Sequence, residues 1–260
     1  MDVKGKGVVV TGAGHGIGRA IAARMAAEGA RVVVNDLDAD AATAVAREIG
    51  GHPVPGDAAT QAGVGALVDA ARRHLGGIDV YFANAGTDLG KGLDTPAEDW
   101  ARALEVNVMA HVRAAQQLVP TWLKEGGGRF VVTASAAGLL TMLGNAPYSV
   151  TKHGAVAFAE WLSATYGHRG ITVQVICPQG VKTRMLDSAG PLRELLSHDI
   201  ALEPEQVAET VWHALQDDRF LILPHPEVQS YNEYHATNTD GWLAGMRKLQ
   251  RRLDEAEGVS

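Results

Sequence analysis

The amino-acid sequence predicts an α/β fold, a doubly wound parallel sheet of about seven strands with helices on both faces. Three observations carry that reading. Short β-branched runs alternate with segments of helical period from Gly7 to Leu223, the pattern of a parallel sheet covered by helices. The runs themselves, such as Gly7 to Thr11 (G-V-V-V-T), are apolar at consecutive positions, as strands buried on both faces are. Glycine is abundant, 30 of 260 residues, or about 12% against a usual ~7%. Tight turns and close backbone approaches follow.

Taken in order, Gly7 to Thr11 is the first strand, and Ile17, Ala20, Ile21 and Met25 recur at helical spacing until Gly29 closes that helix. Arg31 to Asp36 is strand, Ala39 to Ile49 helix, Val54 a brief strand and Ala62 to His74 helix. Ile78 to Ala83 is the fourth strand. Thr95-Pro96-Ala97-Glu98 combines an N-cap threonine, proline at the first helical position and glutamate three after the cap. A long helix is expected from there to about Lys124, bent near Pro120. Arg129 to Thr133 is the fifth strand, Pro147 opens a helix to about His168, and Ile171 to Cys177 is the sixth strand. Pro204 starts a helix on Val207, Val211 and Leu215, and Phe220 to Leu223 is the seventh strand.

No linker interrupts the pattern, so residues 1–223 are expected to form one domain. Residues 224–260 then form a C-terminal extension that is not an independent domain. In it Trp242, Met246, Leu249 and Leu253 fall at helical spacing beside Arg247, Lys248, Arg251 and Arg252. That is an amphipathic helix, expected to dock on its own subunit or a neighbour's.

Charge and composition exclude several functions. The net charge is −7 with no basic block beyond Arg251-Arg252, which argues against nucleic acid as a partner. The uncharged stretch from Phe130 to Thr151 holds too many Thr, Ser, Asn and Pro residues for a membrane span. Cys177 is the single cysteine, and its lack of a disulfide partner points to a reducing, cytoplasmic setting. The ten histidines show no paired ligand spacing, so no metal site is expected. The five tryptophans read as packing residues, with Trp122 and Trp161 also candidates for a contact between subunits.

Thr11-Gly12-Ala13-Gly14-His15-Gly16-Ile17-Gly18 joins the first strand to the first helix. Glycines there let backbone approach a pyrophosphate, and the helix N-terminus offers unpaired N–H groups. Asp36 ends the second strand, where an acid accepts hydrogen bonds from a ribose 2′-hydroxyl and repels a 2′-phosphate. No Arg or Lys sits beside it in Asn35-Asp36-Leu37-Asp38, so NAD is favoured over NADP. His15 is the reservation, as a possible weak phosphate contact.

Tyr148 and Lys152 lie four apart at the start of a helix, hence on one face. A lysine ammonium within about 4–6 Å lowers a tyrosine pKa by roughly 1–3 units, which makes the pair a usable general acid/base. Ser135 follows the fifth strand and Asn84-Ala85-Gly86 the fourth, both at the carboxyl edge where ligands bind such sheets. Asn107 lies within the helix after Pro96.

In these motifs, in this order, the sequence resembles the short-chain dehydrogenase/reductase family over roughly residues 5 to 223, a Rossmann-like fold. The resemblance implies an oxidoreductase that transfers a hydride between NAD(H) and a secondary alcohol or ketone, without metal. Asn107, Ser135, Tyr148 and Lys152 would be the catalytic set. The cofactor would meet Gly12, His15, Gly16, Ile17, Gly18, Asp36, Leu37, Asp57, Ala58, Asn84, Ala85, Gly86, Tyr148, Lys152, Val181 and Thr183. Asp57 and Ala58 would lie at the adenine, Val181 and Thr183 at the nicotinamide amide. Asn107 would hold a water for a proton relay from Lys152. A homodimer or homotetramer is implied too, through the two long helices that carry Trp122 and Trp161.

Two positions depart from the family pattern: Ala83 replaces an asparagine, and Gln179 replaces a glycine beside the nicotinamide. Leucines and methionines dominate Met185 to Leu202 and follow Ser135 at Leu139, Leu140, Met142 and Leu143, so the expected substrate is apolar. The competing readings are an NADPH-dependent 3-oxoacyl carrier-protein reductase, opposed by Asp36, and a non-catalytic dinucleotide sensor, opposed by the complete catalytic set.

Overall fold

The structure is a computed structural model that describes residues 1–187 and 201–257. One seven-stranded sheet runs in the order β3-β2-β1-β4-β5-β6-β7, with every neighbouring pair parallel. Its strands are β1 (Gly7–Val10), β2 (Arg31–Val34), β3 (His52–Pro53), β4 (Val80–Ala83), β5 (Gly128–Thr133), β6 (Ile171–Ile176) and β7 (Leu221–Ile222). The helices are α1 (Gly16–Ala27), α2 (Ala39–Ile49), α3 (Gln61–Leu75), α4 (Ala97–Leu104), α5 (Ala110–Glu125) and α6 (Ala146–Tyr166). After them come α7 (Arg184–Asp187), α8 (Pro204–Asp217), α9 (Glu227–Thr237) and α10 (Thr239–Glu257).

Strand alternation explains the unbroken apolar runs. Val8, Val10, Val80, Phe82 and Val131 pack with Ile21 and Met25 of α1 and Val207 and Val211 of α8. Val9, Val33, Tyr81, Phe130 and Val132 face the other way, onto Leu67 of α3, Leu118 and Trp122 of α5 and Leu162 of α6. The inner strands therefore present apolar side chains to both helical layers, with Arg129 of β5 and Gln174 of β6 as buried polar exceptions. The fold is the expected single-domain, Rossmann-like sheet. Because β1 lies between β2 and β4, the chain leaves it in opposite directions, and a crevice opens above the carboxyl ends of β1 and β4.

The helix expected from Pro96 to Lys124 differs from what forms. It is broken at Glu105–Met109 by a π-helical turn, and α5 continues through Pro120. Pro120 lies on the exposed face of α5, where the carbonyl that loses its N–H partner is open to water, so the helix tolerates it. Thr95 is not the cap either. Its hydroxyl accepts from Lys91 N–H and donates to Gly92 C=O, closing the preceding turn, and Pro96 occupies the cap position. The extension contains an additional helix, α9, that the spacing of apolar residues did not reveal. Val228 alone is buried in it, too little to print a period. Among the described residues, no helix is long and apolar enough to cross a membrane.

Trp122 belongs to the core of its own subunit. It is buried, donates from Nε1 to Ile78 C=O at 2.6 Å, and meets Phe130 edge-on at 6.4 Å between ring centres. Gly128 lies flat against the indole, where a Cβ would come within 2.2 Å of the ring. Replacing Trp122 with alanine opens a large cavity and strands the Ile78 carbonyl. The expected loss is about 3–5 kcal/mol, read as a lower urea midpoint at unchanged slope; a loss under 1 kcal/mol, on the order of a tolerant surface site, would contradict this packing.

Candidate active site

The glycine loop is stitched across the crevice. Thr11 Oγ1 accepts from the N–H groups of Asn84 (2.9 Å) and Ala85 (3.0 Å) and donates to Phe82 C=O. Asn84 Nδ2 returns two bonds, to the carbonyls of Thr11 and Gly12. These contacts leave no room for side chains. A Cβ on Gly18 would lie 2.2 Å from Gly12 O, and one on Gly12, at φ +60°, would lie 2.9 Å from Ala85 Cα. His15 is the N-cap of α1 and makes no side-chain cap, so the helix's first N–H groups remain available to a ligand. At the end of β2, Asp36 Oδ2 accepts from Gly14 N–H at 2.8 Å and Oδ1 from Asp38 N–H at 3.0 Å. The acid thus holds the loop while its remaining lone pairs face the cleft. Thr11 and Gly14 are contributors that the motif contained but the expected site list omitted.

The second half of the site is built on β5, α6 and the π-helical turn. Ser135 follows β5; its Oγ accepts from Ala137 N–H and donates to Pro178 C=O at 3.4 Å. Asn145 caps α6 by accepting from Tyr148 N–H and anchors itself to Asp88 C=O through Nδ2. That cap fixes the turn on which Tyr148 stands, and its signal in the sequence is an Asn two residues before Pro147. Lys152 is buried one turn later, with Nζ 5.6 Å from the Tyr148 ring centre and bonded to Thr133 C=O at 3.0 Å. Asn107 sits on the π-helical turn with no exposed surface. Its Nδ2 donates to Thr87 C=O and Thr151 Oγ1, and its Oδ1 accepts from Thr87 N–H. π-Turns of this kind concentrate at functional sites.

Every expected site residue except Asn107 lines one cleft of about 1660 Å³. Asn107 lies beside Gly86, where an added Cβ would come 3.4 Å from Asn107 Oδ1 and 3.3 Å from Lys152 Nζ. The glycine loop, Asp36, Leu37, Asp57 and Ala58 occupy one end; Ser135, Tyr148, Val181 and Thr183 occupy the other. Arg102, unexpected from sequence, lines the first end and pairs with Asp57. Trp242, Met246, Leu249 and Leu253 of α10 also line the cleft. Trp242 packs on the small cluster of Ala136, Leu140 and Val228. The amphipathic helix therefore docks on its own subunit, over the site. Of the expected substrate segment, Met185 and Leu186 line the cleft, whereas Leu192, Arg193, Glu194, Leu195 and Leu196 lie outside the described residues. No group of three or more His, Cys, Asp or Glu among the described residues is placed to hold a metal ion.

The protonation pattern is set by burial. Desolvation pushes Tyr148 up to about 12, against the pull of its hydrogen bond to Ser135. Burial likewise brings Lys152 down to about 8. The expected lowering of the Tyr148 pKa by Lys152 does not hold in this site, because desolvation is the largest influence on each group. Tyr148 is a phenol here, a proton donor that needs added positive charge beside it to act as a base. His111, one turn beyond Asn107, is held down to about 3 by burial and by the charge of Lys152.

The sheet order, the glycine loop at the strand switch and the Ser–Tyr–Lys corner together define a dinucleotide-dependent oxidoreductase. The family model for short chain dehydrogenase matches residues 6–193. A 1-deoxy-11-beta-hydroxypentalenate dehydrogenase of Streptomyces avermitilis is 34% identical over 239 residues, covering 88% of each chain. A cyclohexanol dehydrogenase of an Acinetobacter species is 32% identical, covering 84% of this chain and 90% of its own. Among solved structures, a short chain dehydrogenase/reductase of Burkholderia phymatum in complex with NAD superposes with TM-score 0.85 at 29% identity, covering 92% of this chain and 96% of the other. The chain belongs to the short-chain dehydrogenase/reductase family, and it is an oxidoreductase acting on CH–OH groups by hydride transfer.

The depressed His111 pKa sets a pH dependence of stability. Unfolded, the imidazole takes a proton near pH 6.5; folded, it does so only near 3. Between those values the unfolded state binds more protons, so stability falls as pH falls, by up to about 1.4 kcal/mol per unit. His111→Gln should flatten the urea-denaturation stability profile between pH 6 and pH 4 relative to the parent chain. Parallel profiles would show that His111 is not the group responsible.

Proposed function

We propose that this chain is an NAD-dependent dehydrogenase/ketoreductase for apolar secondary alcohols, with Tyr148 as the general acid/base. The observation that carries this reading is the shared corner: Ser135, Tyr148 and Lys152 line the same cleft as the glycine loop and Asp36. A cofactor fits there because the glycine loop lines the cleft with open helix N–H groups that suit anionic phosphates. When bound oxidised, NAD supplies a hydride acceptor that carries positive charge.

The chain's own residues do the rest. Ser135 Oγ holds the substrate oxygen and stabilises charge as it develops. Tyr148 Oη takes the carbinol proton in oxidation and returns it in reduction. Lys152 spends one N–H on Thr133 C=O, which leaves two donors for the nicotinamide ribose hydroxyls. Asn107 has both Nδ2 hydrogens committed to Thr87 and Thr151. Its side chain thus positions the loop and α6, and any relay water rests on its backbone or on the spare Oδ1 lone pair.

Asp36 supports NAD over NADP. A 2′-phosphate would meet its carboxylate, and the neighbouring Arg19 is already paired with Glu48. The same residue speaks against an NADPH-dependent 3-oxoacyl carrier-protein reductase. The apolar preference is supported by Leu140, Met142, Leu143, Met185 and the inner face of α10 around the reacting end, and by a relative named for cyclohexanol. Val150 and Trp161, three turns apart on α6, are 53% and 55% exposed, an apolar face suited to a homodimer or homotetramer. The lone, unpaired Cys177 supports a cytoplasmic setting.

The purified protein should reduce NAD with bulky apolar secondary alcohols, at least ~100-fold better than NADP, and Tyr148→Phe should lower kcat by about 10²–10⁴. Activity that survives in Tyr148→Phe, or that prefers NADP, would refute the assignment. Deleting residues 237–260 tests the roof. Loss of even ~55 Å² of apolar contact at about 25 cal/mol per Å² raises KM about tenfold. That rise should appear for bulky alcohols while NADH affinity stays unchanged; unaltered kinetics and stability would refute the docking.

A further inference from the structure

Gln179 is the one position of the nicotinamide segment where this chain departs from the family pattern, and the mechanism above does not use it. It follows Pro178, whose carbonyl accepts from both Ser135 Oγ and Ala136 N–H, so it stands at the reacting end of the cleft. Its backbone is held in place: Gln179 N–H donates to His225 Nδ1 at 3.1 Å. The imidazole proton is therefore on Nε2. His225 is itself buried, between β7 and α9.

The side chain is different. Gln179 lines the cleft, and its Oε1 is buried without a hydrogen-bond partner. Its carboxamide makes no hydrogen bond among the described residues. A buried acceptor left unpaired is costly, and native proteins carry few of them. Leu140, Met185 and Leu186 line the same cleft and offer no side-chain donor. A glycine at this position would carry no carboxamide at all, so the polar group is an addition to this end of the cleft.

We propose that Gln179 is a specificity-determining residue that hydrogen-bonds a second oxygen function of the substrate, near the reacting carbinol. The substrate class is then an apolar, cyclic or bulky skeleton carrying a hydroxyl close to the carbon that is oxidised. A hydroxyl donates to Oε1 and accepts from Nε2, so one group satisfies both ends of the amide. A site built to bond a hydroxyl discriminates strongly against the analogue that lacks it, because the amide is then left unpaired. The inference rests on the dehydrogenase reading above and refines its substrate.

The test compares cyclohexanol with cis-cyclohexane-1,2-diol in the parent chain, in Gln179→Met, which keeps the volume, and in Gln179→Gly. In the parent, kcat/KM for the diol should exceed that for cyclohexanol by about tenfold or more, and both variants should bring the ratio to near one while binding NADH as tightly as the parent. A ratio near one in the parent, or a high ratio that survives in Gln179→Met, overturns the proposal. Calorimetric binding of the two alcohols to the protein saturated with NADH reads the same preference without turnover. Diol preference there with no turnover of either alcohol refutes the dehydrogenase reading and leaves the Gln179 subsite standing; no preference there overturns the subsite alone.

Discussion

The three hydrogen bonds between Thr11 and the Asn84–Ala85 turn, with one more from Asn84 to Gly12 and one from the Thr11 hydroxyl to Phe82, are the constraint on which the site depends. They lie across the strand switch, where they add to the β1–β4 pairing and to the packing of α1 on α8 and of α3 on α5 that also joins the chain's two halves. On one side they fix the glycine loop that receives phosphates. On the other they fix Gly86, whose missing side chain lets Lys152 Nζ and Asn107 Oδ1 come close. Cofactor cradle and proton-handling corner are thereby one rigid body. Preorganisation of this kind is what gives a dipole or donor its catalytic value, since nothing has to reorient when charge develops.

A second device supports the first. The π-helical turn at Glu105–Met109 inserts an extra residue between α4 and α5 and turns Asn107 fully inward. From there its amide ties the loop at Thr87 to α6 at Thr151. α6 is tied a second time at its start, by Asn145 to Asp88. Tyr148 and Lys152 thus stand on a helix held at two points by the loop that leaves β4. The arrangement places a phenol and an ammonium in a dry corner, and their shifted pKa values are the physical cost of that placement.

Much of this was legible in the sequence. Consecutive apolar residues marked β1, β2, β4, β5 and β6, because burial on both faces leaves no polar alternation to confuse with a helix, whereas β3 forms at His52–Pro53, just before the expected Val54, with no apolar run to announce it. The glycine loop was legible because its glycines are required by backbone contacts rather than by flexibility. Residues that act through geometry were harder to see. The π-turn leaves no compositional trace around Asn107, and Thr95 and Pro96 imitate a cap that the chain does not use. Arg102 reaches Asp57 from α4, a contact 45 positions apart that no local pattern encodes. The Tyr148 pKa is hidden for a related reason: sequence spacing shows the neighbouring charge but not the water that both groups have lost.

The roof over the substrate end has a consequence for how the molecule is made. Everything needed for the sheet and the proton-handling corner is encoded before residue 224, while Trp242, Met246, Leu249 and Leu253 come after it. At a ribosomal rate of about 5–20 residues per second, a stretch of the length of 224–257 takes on the order of 2–7 s to synthesise. During that interval the apolar wall formed by Leu140, Met142 and Leu143 faces water beside a nearly finished domain. The nascent chain thus passes through a sticky stage of defined duration, which ends when its own last helix covers the patch.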